Sequence, residues 1–284
     1  ISWVNPDEKH AGKTFDDYLL EGPRTAIDAI EKATGEREIN MIGYCLGGTL
    51  TASLLAWMAA KKEQRVKSVT FFTTLIDFSE PGELGVFVDE AAVDGLEKKM
   101  AERGYLEGSD MASTFNMLRA NDLIRSFVVN NYLLGKEPVP FDLLYWNSDT
   151  TRMPLKLHLA YLRQCYRDNA LAQAQMILGG ERLNLAKIKT PAFFQAAKED
   201  HIAPAKSVLE GSKYFGGPVK YVLAGSGHIA GVINPPAKQK YQYLTGKPPT
   251  GSDVDKWLST AKEHAGSRLP NLFEWLQSQR GKTV

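Results

Sequence analysis

The chain of 284 residues carries 34 Lys+Arg against 33 Asp+Glu, a formal charge of +1, with 43% hydrophobic and 24% charged residues. That supplies a sizeable core for one large domain or two small ones, and the charge balance argues against a nucleic-acid binder, which gathers a basic excess on one face. The longest apolar stretch, Leu50–Ala60, falls well short of the roughly 20 residues of a membrane-spanning helix. No repeat or low-complexity tract is visible, so membrane protein, fibre and disordered tail are set aside.

Ile1-Ser2-Trp3-Val4, closed by Asn5-Pro6-Asp7, has the pattern of a strand and turn. No secretory signal precedes it, and so abrupt a start reads as that of a fragment of a longer protein. A helix is expected from about Pro23, with proline in the first turn, where its missing N–H is harmless, and with Gly35 at its end. Glu38–Ile42 is a strand leading into Gly43-Tyr44-Cys45-Leu46-Gly47-Gly48, and Thr49–Lys62 is a helix. Val66–Ile76, β-branched and aromatic, is a buried strand.

After Asp77 the pattern turns helical, with pieces expected at Phe87–Met100, Ala112–Leu118, Leu123–Leu134 and Leu157–Leu178. Alternation resumes with a strand at Pro191–Ala197, a helix at Ala205–Tyr214 and a last strand at Val219–Leu223. The loop Gly225-Ser226-Gly227-His228 follows, then helices at Asp253–His264 and Leu272–Ser278. Strand–helix alternation implies a mostly parallel sheet covered on both faces. The expected organisation is a core of residues 1–76 and 190–284 interrupted by a helical cap, 77–189.

The sharpest local signal is the G-x-C-x-G of Gly43–Gly47 between a strand and a helix. Its serine counterpart is the nucleophile elbow of α/β-hydrolases. Such a bend forces the nucleophile into a strained backbone conformation, and glycine neighbours let the chain fold that tightly. The bend also sets the Cys45 sulfur at a helix N-terminus, which favours thiolate. The Leu46 N–H, first after the nucleophile, would face a developing oxyanion.

In this fold the partners follow in the order nucleophile, acid, histidine. His10 precedes the nucleophile, His158 lies among apolar cap residues and His264 is expected on the surface of the tail helix. His228, in a glycine-rich loop after a strand, is the candidate base. Lys198-Glu199-Asp200-His201 ends the preceding strand. Asp200 is preferred to Glu199 as the orienting acid because its shorter side chain freezes fewer rotamers, and His201 is left a structural or pocket-lining role. Cys165 lacks an elbow and is expected to be a small buried hydrophobe. Two cysteines are too few for a disulfide framework, so a reducing compartment, the cytoplasm, is expected. A cysteine nucleophile points to acyl transfer from a thioester, because thiolate exchange onto a thioester is nearly isoenergetic.

With these residues located, the chain resembles the catalytic domain of class I polyhydroxyalkanoate synthases over nearly its whole length. The likeness is carried by ISWVNPD at the start, GYCLGGT at the elbow, TTLIDFSEPGELGVF after the second strand and PVPFDLLYWNSD in the cap. EDHIAP at the acid and GSGHIAGVINPPAK at the histidine complete it. The resemblance implies an α/β-hydrolase fold whose N-terminal strands are missing here, with a helical cap. It makes Cys45 the nucleophile carrying the growing chain, His228 its general base and Asp200 the third member, which also helps activate the incoming hydroxyl. Asp77, Tyr132 and Trp146 match positions near the cap and site entrance and are carried as structural.

The implied reaction is polymerisation of (R)-3-hydroxyacyl-CoA, with 3-hydroxybutyryl-CoA the expected monomer, into polyester with release of CoA. No metal or redox cofactor is implied; CoA enters with the substrate. The implied setting is a homodimer at the surface of cytoplasmic polymer granules, with no nucleic acid and no transmembrane segment. Cys45 is expected to be buried beneath the cap, which must move to admit substrate. The sequence departs from the family pattern at Arg125, Ala205 and Arg268-Leu269, where the family favours Trp. Two rivals are a cysteine-elbow thioesterase or depolymerase, which would release acyl groups to water, and a non-catalytic granule scaffold that has kept a hydrolase fold.

Overall fold

The computed structural model describes residues 1–118, 128–137, 146, 149–247 and 254–280. They form two compact units, one of residues 16–86 with 163–284 and one of 1–15 with 87–162. Among the described residues no helix is long and apolar enough to cross a membrane.

In the larger unit, helical structure starts earlier than at Pro23. A short helix, Phe15–Leu19, passes through a wide turn kinked at Gly22 into α1, Thr25–Thr34. Proline in that turn bends the path without starting it. Gly35 ends α1 as expected, at φ 76°, a left-handed conformation that glycine adopts without strain. β1 (Ile39–Tyr44), α2 (Leu46–Ala60) and β2 (Val66–Phe72) follow. β2 stops short of Ile76 because Thr73 turns to φ 42°.

The smaller unit contains α3 (Glu90–Ala101), capped by the Asp89 side chain, α4 (Gly108–Leu118) and α5 (Leu155–Ala160). A two-residue ladder joins Tyr105–Leu106 to Met153–Pro154. Ile1–Val4 is not a strand among the described residues, and Ile1 and Val4 are exposed; a strand-like pattern without a ladder partner stays irregular. Of the helix expected at Leu123–Leu134, residues 123–127 lie outside the described residues, and Val128–Leu133 is a wide helical turn. The helix expected over Leu157–Leu178 reaches only Arg167. Asn169, at φ 47°, stops it, and Ile177–Leu178 instead pairs with Glu181–Arg182. Asparagine tolerates that left-handed turn better than most residues.

The larger unit resumes with β3 (Ala192–Ala197), α6 (Ala205–Ser212), β4 (Val219–Ala224), β5 (Gln242–Thr245), α7 (Val254–Thr260), β6 (Lys262–Ala265) and α8 (Leu269–Gln279). Strands β1 to β6 lie in numerical order across one sheet. β1 to β4 are parallel, whereas β5 and β6 are antiparallel additions. Every residue of β3 is buried, as a strand covered on both faces requires. Successive side chains alternate between those faces. Phe71 and Phe194 stack at 4.6 Å with Phe215 against them, while Phe72, Phe193 and Val222 meet Leu272, Trp275 and Leu276 of α8.

β5 and β6 had no counterpart in the sequence reading. Short, with β5 half-buried and β6 largely exposed, they offer no apolar run. The helix expected at Asp253–His264 ends at Thr260. His264 belongs to β6, where its Nε2 lies 2.9 Å from Thr245 Oγ1 and its ring stacks on Tyr243, so it is a ladder residue and not a solvated helix side chain.

Candidate active site

Parallel β1, β3 and β4 point their C-terminal ends the same way, and the loops that follow them hold Cys45, Asp200 and His228. All three belong to the larger unit. Crevices at such strand ends are where open α/β sheets place reactive groups.

Cys45 sits between the last residue of β1 and the first of α2 at φ 51°, ψ −126°, a conformation costly for any residue with a Cβ. The bend closes because a Cβ on Gly43 would come within 2.5 Å of Gly48 Cα, and one on Gly48 would collide with the Thr74 side chain. The Cys45 N–H donates to Phe72 O at 3.0 Å, and its carbonyl accepts from the Gly48 and Thr49 N–H groups. The elbow carries Cys45 out past the strand ends, so it is partly exposed and not fully buried as expected. The Leu46 N–H lies in the first turn of α2, where a helix leaves its amides without intrahelical acceptors.

Asp200 Oδ2 accepts from His228 Nδ1 at 2.7 Å, and its Oδ1 accepts from the Ile202 and Ala203 N–H groups at 2.9 Å each. The carboxylate is thereby locked by its own loop. Glu199 is exposed, and its N–H donates to Ser226 O. With Nδ1 committed to Asp200, the other imidazole nitrogen is left for Cys45, which is near enough to raise the His228 pKa. Burial pulls the His228 pKa down, but the hydrogen bonds to Asp200 and Cys45 and the charges of both raise it to about 10.

Two supports were not anticipated. The Tyr44 hydroxyl donates to the His228 carbonyl at 3.3 Å, and its ring lies 5.2 Å from the imidazole. Burial, then the charges of Cys45 and Asp200, push the Tyr44 hydroxyl pKa up, so it stays a neutral donor. Gln195 Nε2 donates to Gly231 O at 2.9 Å. The signal was present in the second case: a lone polar residue within the otherwise apolar Ala192–Ala197 needs a buried partner.

The remaining candidates lie elsewhere. His10 Nδ1 pairs with Asp7 at 2.7 Å, and burial lowers the His158 pKa to about 4, leaving it neutral. The backbone carbonyl of His201 accepts from the Glu83 N–H. Cys165 is fully buried, which pushes its thiol pKa up. Asp77 accepts from the Tyr214 hydroxyl, Asn169 Nδ2 and the Ser79 N–H, tying together three segments of the larger unit. Tyr132 and Trp146 are exposed in the smaller unit, and Arg125 lies outside the described residues. Ala205 opens α6, its carbonyl accepting from the Tyr221 hydroxyl at 3.0 Å, and Leu269 packs beneath the sheet.

Residues 8–235 match the family model described as alpha/beta hydrolase fold. The chain is 57% identical over 277 residues to a poly(3-hydroxyalkanoate) polymerase subunit PhaC of Rhizobium meliloti, a match covering 98% of this chain and 45% of that protein. It is 56% identical to a poly(3-hydroxyalkanoate) polymerase of Methylorubrum extorquens, over 100% of this chain and 47% of the relative. Against the PhaC subunit of Cupriavidus necator it is 41% identical, over 99% of this chain and 49% of the relative. The chain thus spans about half the length of the curated relatives it matches.

Proposed function

The chain belongs to the alpha/beta hydrolase fold family, and from that premise we propose that it is the catalytic portion of a polyhydroxyalkanoate synthase. Cys45, His228 and Asp200 act as its triad. The supporting observation is the bonded His228–Asp200 pair beside a cysteine held at φ 51°, in a chain whose relatives carry polymerase names.

In acylation, with the Cys45 proton resting on His228 Nε2, as the raised pKa of the imidazole favours, the sulfur attacks the thioester carbonyl of a 3-hydroxyacyl-CoA. Asp200, bonded to Nδ1, orients the ring and stabilises the imidazolium. The Leu46 N–H faces the oxyanion. Collapse breaks the C–S bond to CoA, and the departing thiolate recovers the proton from His228 as CoA–SH. In elongation, a 3-hydroxyl gives its proton to His228 and attacks an acyl-thioester carbonyl. An ester forms, a thiol is released with that proton, and the chain is one unit longer. The thioester is both acyl donor and energy source, so the cycle calls for no metal or redox cofactor. The same reading carries a cytoplasmic homodimer at the surface of polyester granules.

CoA release from (R)-3-hydroxybutyryl-CoA, measured on this chain and on Cys45→Ala, is the test. Release with polymer, lost in Cys45→Ala, is the expected outcome. Free 3-hydroxybutyrate in place of polymer would convert the assignment to a thioesterase. Turnover unchanged in Cys45→Ala would remove the triad altogether.

A further inference from the structure

Arg268 is among the largest fully buried side chains of the molecule, about 2% exposed. Burial lowers its pKa to about 10. Among the described residues it forms no ion pair, and its Nε and Nη1 lack hydrogen-bond partners. A cation so poorly compensated in the interior is costly to keep, so what its guanidinium touches is informative.

It touches both halves of the site's framework. The guanidinium carbon lies 4.5 Å from the centroid of Phe72, and Nη2 donates to the Val232 carbonyl at 3.0 Å. Phe72 supplies the carbonyl that accepts the Cys45 N–H and is the register partner of Tyr44. Val232 closes the compact turn that begins beside His228. Its N–H donates to Ile229 O, and the Gly231 N–H donates to Gly227 O. The flanking residue strengthens the link, since Ser267 Oγ donates to the Asn234 carbonyl of the same segment. Stacking on a ring while donating from the edge requires a flat cation, a geometry that lysine cannot reproduce.

We propose that Arg268 is a positioning residue that fixes the histidine loop relative to the cysteine elbow, bridging Phe72 beneath the one and Val232 at the end of the other. The proposal rests on the reading of Cys45 and His228 as a reacting pair and adds the element that sets their spacing. Arg268 touches neither side chain.

The test uses Arg268→Met and Arg268→Lys with two readouts: CoA release from 3-hydroxybutyryl-CoA, and the pH profile of Cys45 alkylation by iodoacetamide, followed on the Cys45 peptide. Loosening the loop should lower maximal CoA release about 10-fold with KM changed less than about twofold. It should also shift the alkylation midpoint away from its wild-type position, with Arg268→Lys intermediate. A purely structural role would lower the melting temperature while leaving the alkylation midpoint in place. Folded variants that keep the wild-type midpoint overturn the proposal. Should Arg268→Met fail to fold, Arg268→Lys decides by the same midpoint. If the wild-type chain releases no CoA, the synthase reading fails, yet the alkylation profile still decides the role of Arg268.

Discussion

The cysteine elbow carries most of its constraints within Gly43–Gly48, a strained φ at Cys45 and a Gly43 whose missing Cβ lets the strand meet Gly48, while Gly48 in turn makes room for Thr74. The histidine loop, 225–234, has local constraints of its own, Ser226 at φ 72° and a Gly231 whose Cβ would meet the Gly227 carbonyl at 2.7 Å, but it relies on more. It is held by side chains that arrive from far along the chain, Asp200 at Nδ1, Tyr44 at the His228 carbonyl, Gln195 at Gly231 and Arg268 at Val232. Both halves have local backbone constraints, but only the loop depends on hydrogen bonds from side chains far along the chain. The two should therefore fail differently, the elbow by steric collision and the loop by loss of hydrogen bonds.

The largest expected effect falls on the loop. Asp200→Asn should lower CoA release by about 10³-fold or more while the fold survives, because the imidazole loses the partner that fixes its tautomer. Its stability should carry a pH signature with a definite sign. The His228 pKa is raised, so the stabilisation from its pairing is complete below the ordinary value of 6.5 and fades as pH climbs to about 10. The stability gap between wild type and Asp200→Asn, measured by urea unfolding, should narrow over that interval. A gap that widens would place the charge balance of the pair the other way round.

Next comes the elbow. Gly43→Ala should cost about 3 kcal/mol in urea unfolding or prevent folding, because the new Cβ meets the Gly48 backbone, which cannot step aside. Wild-type stability in that variant would erase the distinction drawn between the two regions. The smallest effect is expected for Gln195→Leu, about 1 kcal/mol, since it leaves the Gly231 carbonyl without its donor but fills a site whose Oε1 already lacks a partner. Hydrogen exchange across residues 228–234 should rise in this variant and stay unchanged at the elbow.

The same contrast explains what could be read from the residues. Gly43-Tyr44-Cys45-Leu46-Gly47-Gly48 declared itself because the strained Cys45 and the close approach of Gly43 to Gly48 lie within six neighbouring letters. His228 and Asp200 were recognisable by chain order and strand-end position, but the choice against Glu199 rested on side-chain length. The structure supplies a firmer cause in the Ile202 and Ala203 amides that clamp the Asp200 carboxylate. β2, β3 and β4 were legible because strands buried on both faces are apolar runs. β5 and β6 were not, because a short strand that is only partly buried, or mostly exposed, is chosen by the ladder it completes.

From the sequence alone came the alternation that dictates a mostly parallel sheet, the sharp bend bearing Cys45 and the loop bearing His228, each set by neighbours a few residues apart. Only tertiary structure decided that Arg268 lies buried on Phe72 and that His264 joins a strand. It alone decided that Tyr44, Gln195 and Arg268 together hold one loop. Those outcomes depend on which groups meet across the fold, and a linear pattern of polar and apolar residues carries no record of such distances.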